Sequence, residues 1–334
     1  MLDLKYILTN KDLVAESNKN RNKDIDISIL EKLSEDRGRL LQEVEELRAQ
    51  MNTNADKVRN ADETLRVELV KLGKDLKEQA KEKEEYLNDI QVQFQRELRR
   101  YPNVLNEKVI AGKDDSENEL LREEGKIPEF SFAPKEHLDL GEALGFVDME
   151  RAAKVSGSRF TYLKGDFVLL EFALIQYALS LLVPEGFIPV LPPHIVSTKA
   201  MSGMGYLDHG GEEEIYHLKN DDAVLIGTSE QSLGPMHMNE ILNVEDLPLR
   251  YVAFSPCYRR EAGSHGKDVR GTLRVHQFDK VEMFSFTKPE DSEKEHELLL
   301  AMQEKLMKGL ELPYRVMRLC SGDTGNPSSM TYDI

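Results

Sequence analysis

The sequence predicts an α+β protein, with an N-terminal antiparallel coiled-coil hairpin followed by an antiparallel sheet flanked by helices. Three observations carry this expectation. Apolar residues in the first hundred positions form two heptad runs; strand candidates in the second half follow one another without regular alternation of strand and helix; and residues 256–286 alternate so that charged side chains gather on one face of two strands. No GxGxxG or Walker loop occurs, so a Rossmann reading is poor.

From the N-terminus, the apolar series runs Leu30, Leu33, Leu40, Val44, Leu47 and Met51, with only Arg37 interrupting the a and d positions. A helix with a narrow seam follows from that spacing. The pattern weakens at Asn52-Thr53-Asn54 and again at Asn60-Ala61-Asp62, then resumes as Leu65, Leu69, Leu72, Leu76, Tyr86 and Ile90. Gln79 and Lys83 fall at a and d positions and weaken the seam. The second helix is expected to reach Arg100, where Tyr101-Pro102 ends it. Two long helices separated by one short break bury their seams on each other. The expected arm occupies 1–110, a linker 111–135 with the polar run from Gly112 to Asn118, and a second domain 136–334.

In the second domain, helices are expected near 138–154 and 166–183, and strands near 187–191, 214–218, 223–230 and 250–261. The most apolar stretch, from Phe167 to Val183, is interrupted by Glu171 and Gln176 and bounded by Pro184, which describes a core helix better than a membrane span. Pro192-Pro193 cannot donate to a central ladder, so the strand before them belongs at an edge, either within the domain or at a subunit contact.

The formal charge of −17 argues against a cationic protein that coats DNA. It leaves RNA open, because local patches set such contacts. Residues 1–100 carry 20 Lys and Arg against 22 Asp and Glu, so the acidity resides mostly in the rest of the chain. Cys257 and Cys320 are the only cysteines, which excludes a disulfide framework and any CxxC zinc spacing; a reducing cytoplasm is the natural setting. The start MLDLKYILTNKDLV lacks the features of a signal or transit peptide.

Chemistry concentrates between Pro256 and Phe286. On extended chain, Arg259 and Glu261 share a face and Arg260 points away, while Arg274, His276, Phe278, Lys280 and Glu282 share a face of the returning strand. The intervening loop is rich in Gly and bears His265, Lys267 and Arg270. Arginines, an aromatic ring and carboxylates beside a basic loop suit a polyanion with a flat base, as in ATP. Upstream, strand alternation would place Thr228 and Glu230 of Leu225–Glu230 on one face; equally, Thr228 or Ser229 is a helix N-cap for the run that follows.

This segment resembles motif 2 of class II aminoacyl-tRNA synthetases, and RVHQFDKVEMF together with Thr228-Ser229-Glu230 resembles the seryl-tRNA synthetases in particular. The resemblance implies a serine–tRNA ligase that forms seryl-adenylate from L-serine and ATP with Mg²⁺ and passes the seryl group to tRNA(Ser). It implies ATP binding by Arg259, Glu261, Arg274 and Phe278, with Arg259 as the catalytic fork on the α-phosphate. Arg260, where bacterial members often carry serine, is grouped with them without a defined role. Serine binding falls to Thr228, Ser229, Glu230 and Glu282, and the acceptor end of the tRNA to His265, Lys267 and Arg270; no metal ligand is identifiable. The segment 186–193 resembles motif 1, which implies a homodimer, and the hairpin resembles the arm that grips tRNA. Arg48, Lys57, Arg59, Lys71, Lys74 and Lys77 are its candidate phosphate contacts, although a solvated face would carry the same residues. The family's core closes with a third motif bearing another ATP-binding arginine. This chain reaches Tyr332-Asp333-Ile334 without one, so a C-terminally incomplete core is expected. The alternative is a non-catalytic paralogue acting as a tRNA- or protein-binding scaffold.

Overall fold

A computed structural model of the chain describes residues 2–207, 212–262 and 271–334. They form two compact units, Met1–Asp114 with Ser321–Ser329, and Asp115–Cys320 with Met330–Ile334.

In the first unit, α1 (Leu4–Thr9) and α2 (Lys11–Asn20) lead into the long helices α3 (Ile27–Asn60) and α4 (Glu63–Arg99). Asp26 and Asp62 start the long helices by accepting the backbone N–H of Ser28 and Leu65. Contacts between α3 and α4 run in opposite directions along the chain: Arg37 with Gln91 at 3.2 Å, Glu43 with Lys83 at 2.6 Å, and Asn54 with Leu69 at 2.9 Å. The hairpin is therefore antiparallel.

Two details differ from the heptad reading. α3 does not weaken at Asn52-Thr53-Asn54, because Asn54 enters the seam, 5% exposed, and donates Nδ2 to the Leu69 carbonyl at 2.9 Å. Gly73 makes room for it, since a Cβ there would lie 3.0 Å from that nitrogen. In α4 the seam passes through Leu76, Ala80, Lys83, Leu87, Ile90 and Phe94, so Gln79 and Tyr86 lie outside it. Continuing the four-three alternation from Leu76 gives Ala80 and Leu87, and the larger neighbouring side chain at 86 had masked that register.

Ile7, Val14, Leu30, Phe94 and Tyr101 form the core at the base of the hairpin. There the segment Ser321–Ser329 is tied down by backbone bonds. The Arg21 guanidinium donates to the carbonyls of Thr324 at 2.8 Å, Gly325 at 3.2 Å, and Ser328; Asn103 N donates to Asn326 O at 2.8 Å.

The second unit runs β1 (Glu119–Glu124), α5 (His137–Ala143), β2 (Val147–Asp148), α6 (Met149–Ser156), β3 (Tyr162–Leu163), α7 (Asp166–Leu182), β4 (Ile188–Val190), β5 (Ile195–Ser197), α8 (Thr198–Gly203), β6 (Ala223–Leu225), α9 (Glu230–Leu233), β7 (Leu249–Tyr258), β8 (Gln277–Phe286), α10 (Ser292–Gly309), β9 (Tyr314–Arg318) and β10 (Tyr332–Asp333). β7 and β8 pair antiparallel over ten residues each, with Ala253 opposite Glu282 and Cys257 opposite Phe278. β4 lies parallel to β7 at the other edge, where Pro189 leaves no interior ladder position unfilled. β9 is flanked by β1 and β10, both antiparallel to it, and β5 pairs with β6.

The expected helix over 138–154 is two helices, parted at Gly145 (φ 73°) and by β2. The expected strand at 214–218 is reduced to a bridge between His217 and Val224; those over 223–230 and 250–261 stop at Leu225 and Tyr258. Part of the expected linker is β1, whose sequence ELLREE reads as a solvated charge run until Arg122 meets Glu304 and Glu119 meets Arg318. Tyr332-Asp333 is a strand where none was expected.

α7 forms, but it is not the core helix its composition suggests. Only Ala178 and Leu182 are buried, while Leu169 and Phe172 are 66% and 59% exposed. Leu182 joins Phe187, Val252 and Met302 beneath the sheet, together with Val281 and Met283 of β8.

Candidate functional site

Because Val281 and Met283 face that core, the pleat turns Phe278, Lys280 and Glu282 to the opposite side. On that side Lys280 lines a cleft of about 510 Å³ together with Tyr206, Thr228, Glu230, Arg259, Glu261 and Arg274, while Glu282 and Phe278 reach it through contacts with Thr228 and Arg259.

One end of the cleft is acidic. The Thr228 hydroxyl donates to Glu282 at 2.7 Å, and Lys280 Nζ donates to Thr228 Oγ1 at 3.0 Å while pairing with Glu282. Thr228 and Glu230 meet through a turn. β6 has ended, the Gly227 N–H donates to the Gln231 side chain at 2.7 Å, and Glu230 opens α9 with its own N–H 3.3 Å from Thr228 Oγ1. The strand alternation expected there is thus replaced by a helix start, in which neither Thr228 nor Ser229 is a side-chain cap of the standard kind. Ser229 is fully buried, and its hydroxyl bonds Ser255 at 2.7 Å behind the cleft. Burial, and then the nearby Glu282 carboxylate, push the Glu230 carboxyl up; the Tyr206 hydroxyl bonded to it offsets part of that rise. Burial likewise pushes the Tyr206 phenol up, with Glu230 adding to it.

The other end is built around Arg259. Its Nε donates to the Gly227 carbonyl at 3.1 Å and its guanidinium lies 5.2 Å from the centre of the Phe278 ring. A Cβ on Gly227 would meet Arg259 Cγ at 3.3 Å, so a glycine there lets the arginine lie across it. β7–β8 pairing continues past Tyr258, with Arg259 N donating to His276 O at 3.0 Å. Beyond it the chain bends, and Glu261 takes φ 50°. The simple alternation read for 259–261 therefore does not persist, yet Glu261 still reaches the cleft, where its carboxylate pairs with Arg274 at 3.6 Å. Arg260 is exposed and is not among the cleft's lining. His265, Lys267 and Arg270 lie outside the described residues.

Tyr206 had no signal in the sequence. It follows a short helix some way before Thr228, with no periodicity linking the two. Lys280 was visible on the shared face of β8 but carried no assigned role. Among the described residues no group of three His, Cys, Asp or Glu side chains is arranged to hold a metal.

The chain matches two family models, the seryl-tRNA synthetase N-terminal domain over residues 1–105 and the tRNA synthetase class II core domain (G, H, P, S and T) over residues 215–334. It is 40% identical over 335 residues to a serine–tRNA ligase of Rubrobacter xylanophilus, covering 100% of this chain and 79% of that protein. A serine–tRNA ligase of Petrotoga mobilis is 44% identical over 344 residues, with coverage of 100% and 80%. Among solved structures, seryl-tRNA synthetase from Pyrococcus horikoshii complexed with ATP superposes with a TM-score of 0.83 at 36% identity, covering 100% of this chain and 80% of that one. The cytoplasmic serine–tRNA ligase of Naegleria fowleri in complex with AMP gives 0.79 at 25% identity.

Proposed function

The chain belongs to the seryl-tRNA synthetase family, and on that premise we propose how its own residues carry the reaction. The activity is that of a serine–tRNA ligase, which activates L-serine with ATP to seryl-adenylate and transfers the seryl group to tRNA(Ser). The carrying observation is that one cleft holds an acidic cage at one end and the Arg259 fork at the other.

Thr228, Glu230 and Glu282 take the serine ammonium, with Ser229 fixing the turn behind them. A serine carboxylate oxygen then attacks the α-phosphorus, and the bond to the bridging oxygen breaks, releasing pyrophosphate. Arg259 offers two donors to the α-phosphate as charge builds there, and its bond to Gly227 holds it before substrate arrives. Phe278 stacks on adenine, Glu261 contacts the adenine side, and Arg274 reaches the γ-phosphate. Arg260, turned out of the cleft, acts on ATP only from its rim. Mg²⁺ would supply further charge neutralisation to the phosphates and would arrive with ATP, since no cluster of ligating side chains among the described residues is arranged to hold it. In the second step a hydroxyl of the terminal ribose attacks the carbonyl carbon and AMP leaves; His265, Lys267 and Arg270 guide that RNA end. No side-chain nucleophile is required, so catalysis rests on positioning and charge stabilisation.

The hairpin of residues 1–110 grips the tRNA, with Lys57, Lys71, Lys74 and Lys77 outside any ion pair among the described residues, whereas Arg48 and Arg59 are paired with Glu84 and Asp56. Two copies associate through motif 1, where Ile188 and Leu191 are exposed along with the apolar side of the preceding helix α7. Its segment Asp166–Glu185 is also apolar and long enough to cross a membrane, but Glu171 and Gln176 on the helix favour a protein partner. Cys257 and Cys320 are both buried and not joined in a disulfide, which supports a reducing cytoplasm.

The test is serine-dependent ATP–pyrophosphate exchange, with alanine and threonine as controls. Exchange with serine alone is expected. Equal exchange with alanine, or none with any amino acid, would sink these assignments.

A further inference from the structure

We propose that the Lys280 ammonium stands in for the substrate ammonium, occupying the acidic end of the cleft in the free protein and leaving it when L-serine binds. This rests on the cleft being the serine site, and it concerns a residue to which the reaction scheme above gives no role.

The Thr228 hydroxyl has one proton to donate and two lone pairs to accept with. The proton goes to Glu282 at 2.7 Å. One lone pair takes Lys280 Nζ at 3.0 Å, and the other faces the Glu230 N–H at 3.3 Å. Thr228 is thus saturated, and Lys280 also pairs with the Glu282 carboxylate. An incoming ammonium that uses Thr228 and Glu282 needs the same two oxygens, and two cations a few ångströms apart repel one another. One of them must leave.

Lys280 is suited to be that one. It is a compact charge on a flexible four-carbon stem, and its side chain is 34% exposed, so water is available to it outside the cage. Glu230 is held separately by Tyr206, and Arg259 is tied through its Nε to the Gly227 carbonyl and makes no ion pair with Glu282. Lys280 is therefore the group that directly offsets Glu282 when no substrate is present. Serine binding carries the cost of breaking this pair, so removing the pair should tighten binding.

The experiment compares wild type, K280M and K280R by calorimetric titration with L-serine and by thermal unfolding with and without it. K280M is expected to bind serine about fivefold more tightly, the scale of a partly exposed ion pair. It should also unfold at a lower temperature when free and show a larger serine-induced rise in Tm. K280R, which keeps a cation in place, should hold serine affinity near wild type. L-Glycerate, serine with a hydroxyl in place of the ammonium, should gain nothing from K280M. If K280M binds serine no better than wild type and only lowers the free Tm, Lys280 is merely structural and the proposal is overturned. If K280M binds serine more weakly, Lys280 contacts the substrate and the proposal is again overturned. Wild type that fails to bind serine would overturn both this proposal and the reading of the cleft beneath it.

Discussion

Arg259 is held in the free protein by a carbonyl at one side of its guanidinium and an aromatic ring below it. That arrangement reduces the freedom lost when a phosphate arrives. Arg259→Gln keeps a polar side chain but loses the charged fork, and serine-dependent exchange is expected to fall about 10²- to 10³-fold, as for other removed charge-stabilising donors; an intact far-UV spectrum with unchanged exchange would contradict the role. Glu230 gives a pH prediction. Burial raises its carboxyl, so on acidification it takes up a proton above the ordinary carboxylate range, and the cage loses charge there. Serine affinity measured by calorimetry from about pH 8 down to 5 should decline before ordinary carboxylates titrate; a flat affinity down to that range would count against the cage. At this scale the charged face of β8 was legible from a two-residue period. Ser229 was a candidate in the sequence but its burial against Ser255 was not legible, nor was Tyr206, since a buried hydroxyl and a contributed phenol depend on how separate turns meet.

At the scale of elements, periodicity located the long helices and the central hairpin but misjudged what each would cover. The seam of α4 lies one residue from Gln79 and Tyr86, because a tyrosine and a leucine side by side satisfy an apolar pattern equally. β1 was hidden because its side chains are satisfied by ion pairs from α10 and β9, which no local pattern reports. α7 shows the opposite error: a stretch apolar enough for a core is exposed along much of its length in the single chain. Phe172→Asp would place a charge in the proposed contact between copies, and sedimentation equilibrium should then show a monomer where the wild type is a dimer. A wild-type chain that already sediments as a monomer at micromolar concentration would remove the basis for that contact.

For the molecule as a whole, stability in acid turns on side chains that join distant elements. Arg250 of β7 donates to Glu295 of α10 at 2.9 and 2.5 Å, and the Ser285 hydroxyl donates to the same carboxylate at 3.0 Å. The Arg250 bonds hold the Glu295 carboxyl below its usual value in spite of burial. A carboxyl lowered by folding contributes stability above its unfolded pKa and loses it as pH falls through the lowered value. Glu295→Gln should therefore lower stability near neutral pH by about 2 kcal/mol, and the gap in Tm from wild type should narrow as pH falls; a constant gap would contradict this. By itself, the sequence determined the hairpin arm, the β7–β8 pair and the charged face between them, because seven-residue and two-residue periods are properties of adjacent positions. Only tertiary structure decided that the segment 321–329 is clamped by Arg21, that Tyr206 meets Glu230, that Lys280 fills the acidic end of the cleft, and that α7 is left uncovered. Each of these depends on groups brought together from far apart in the chain, where hydrogen-bonding and burial are settled by which partner arrives and not by which residue is next.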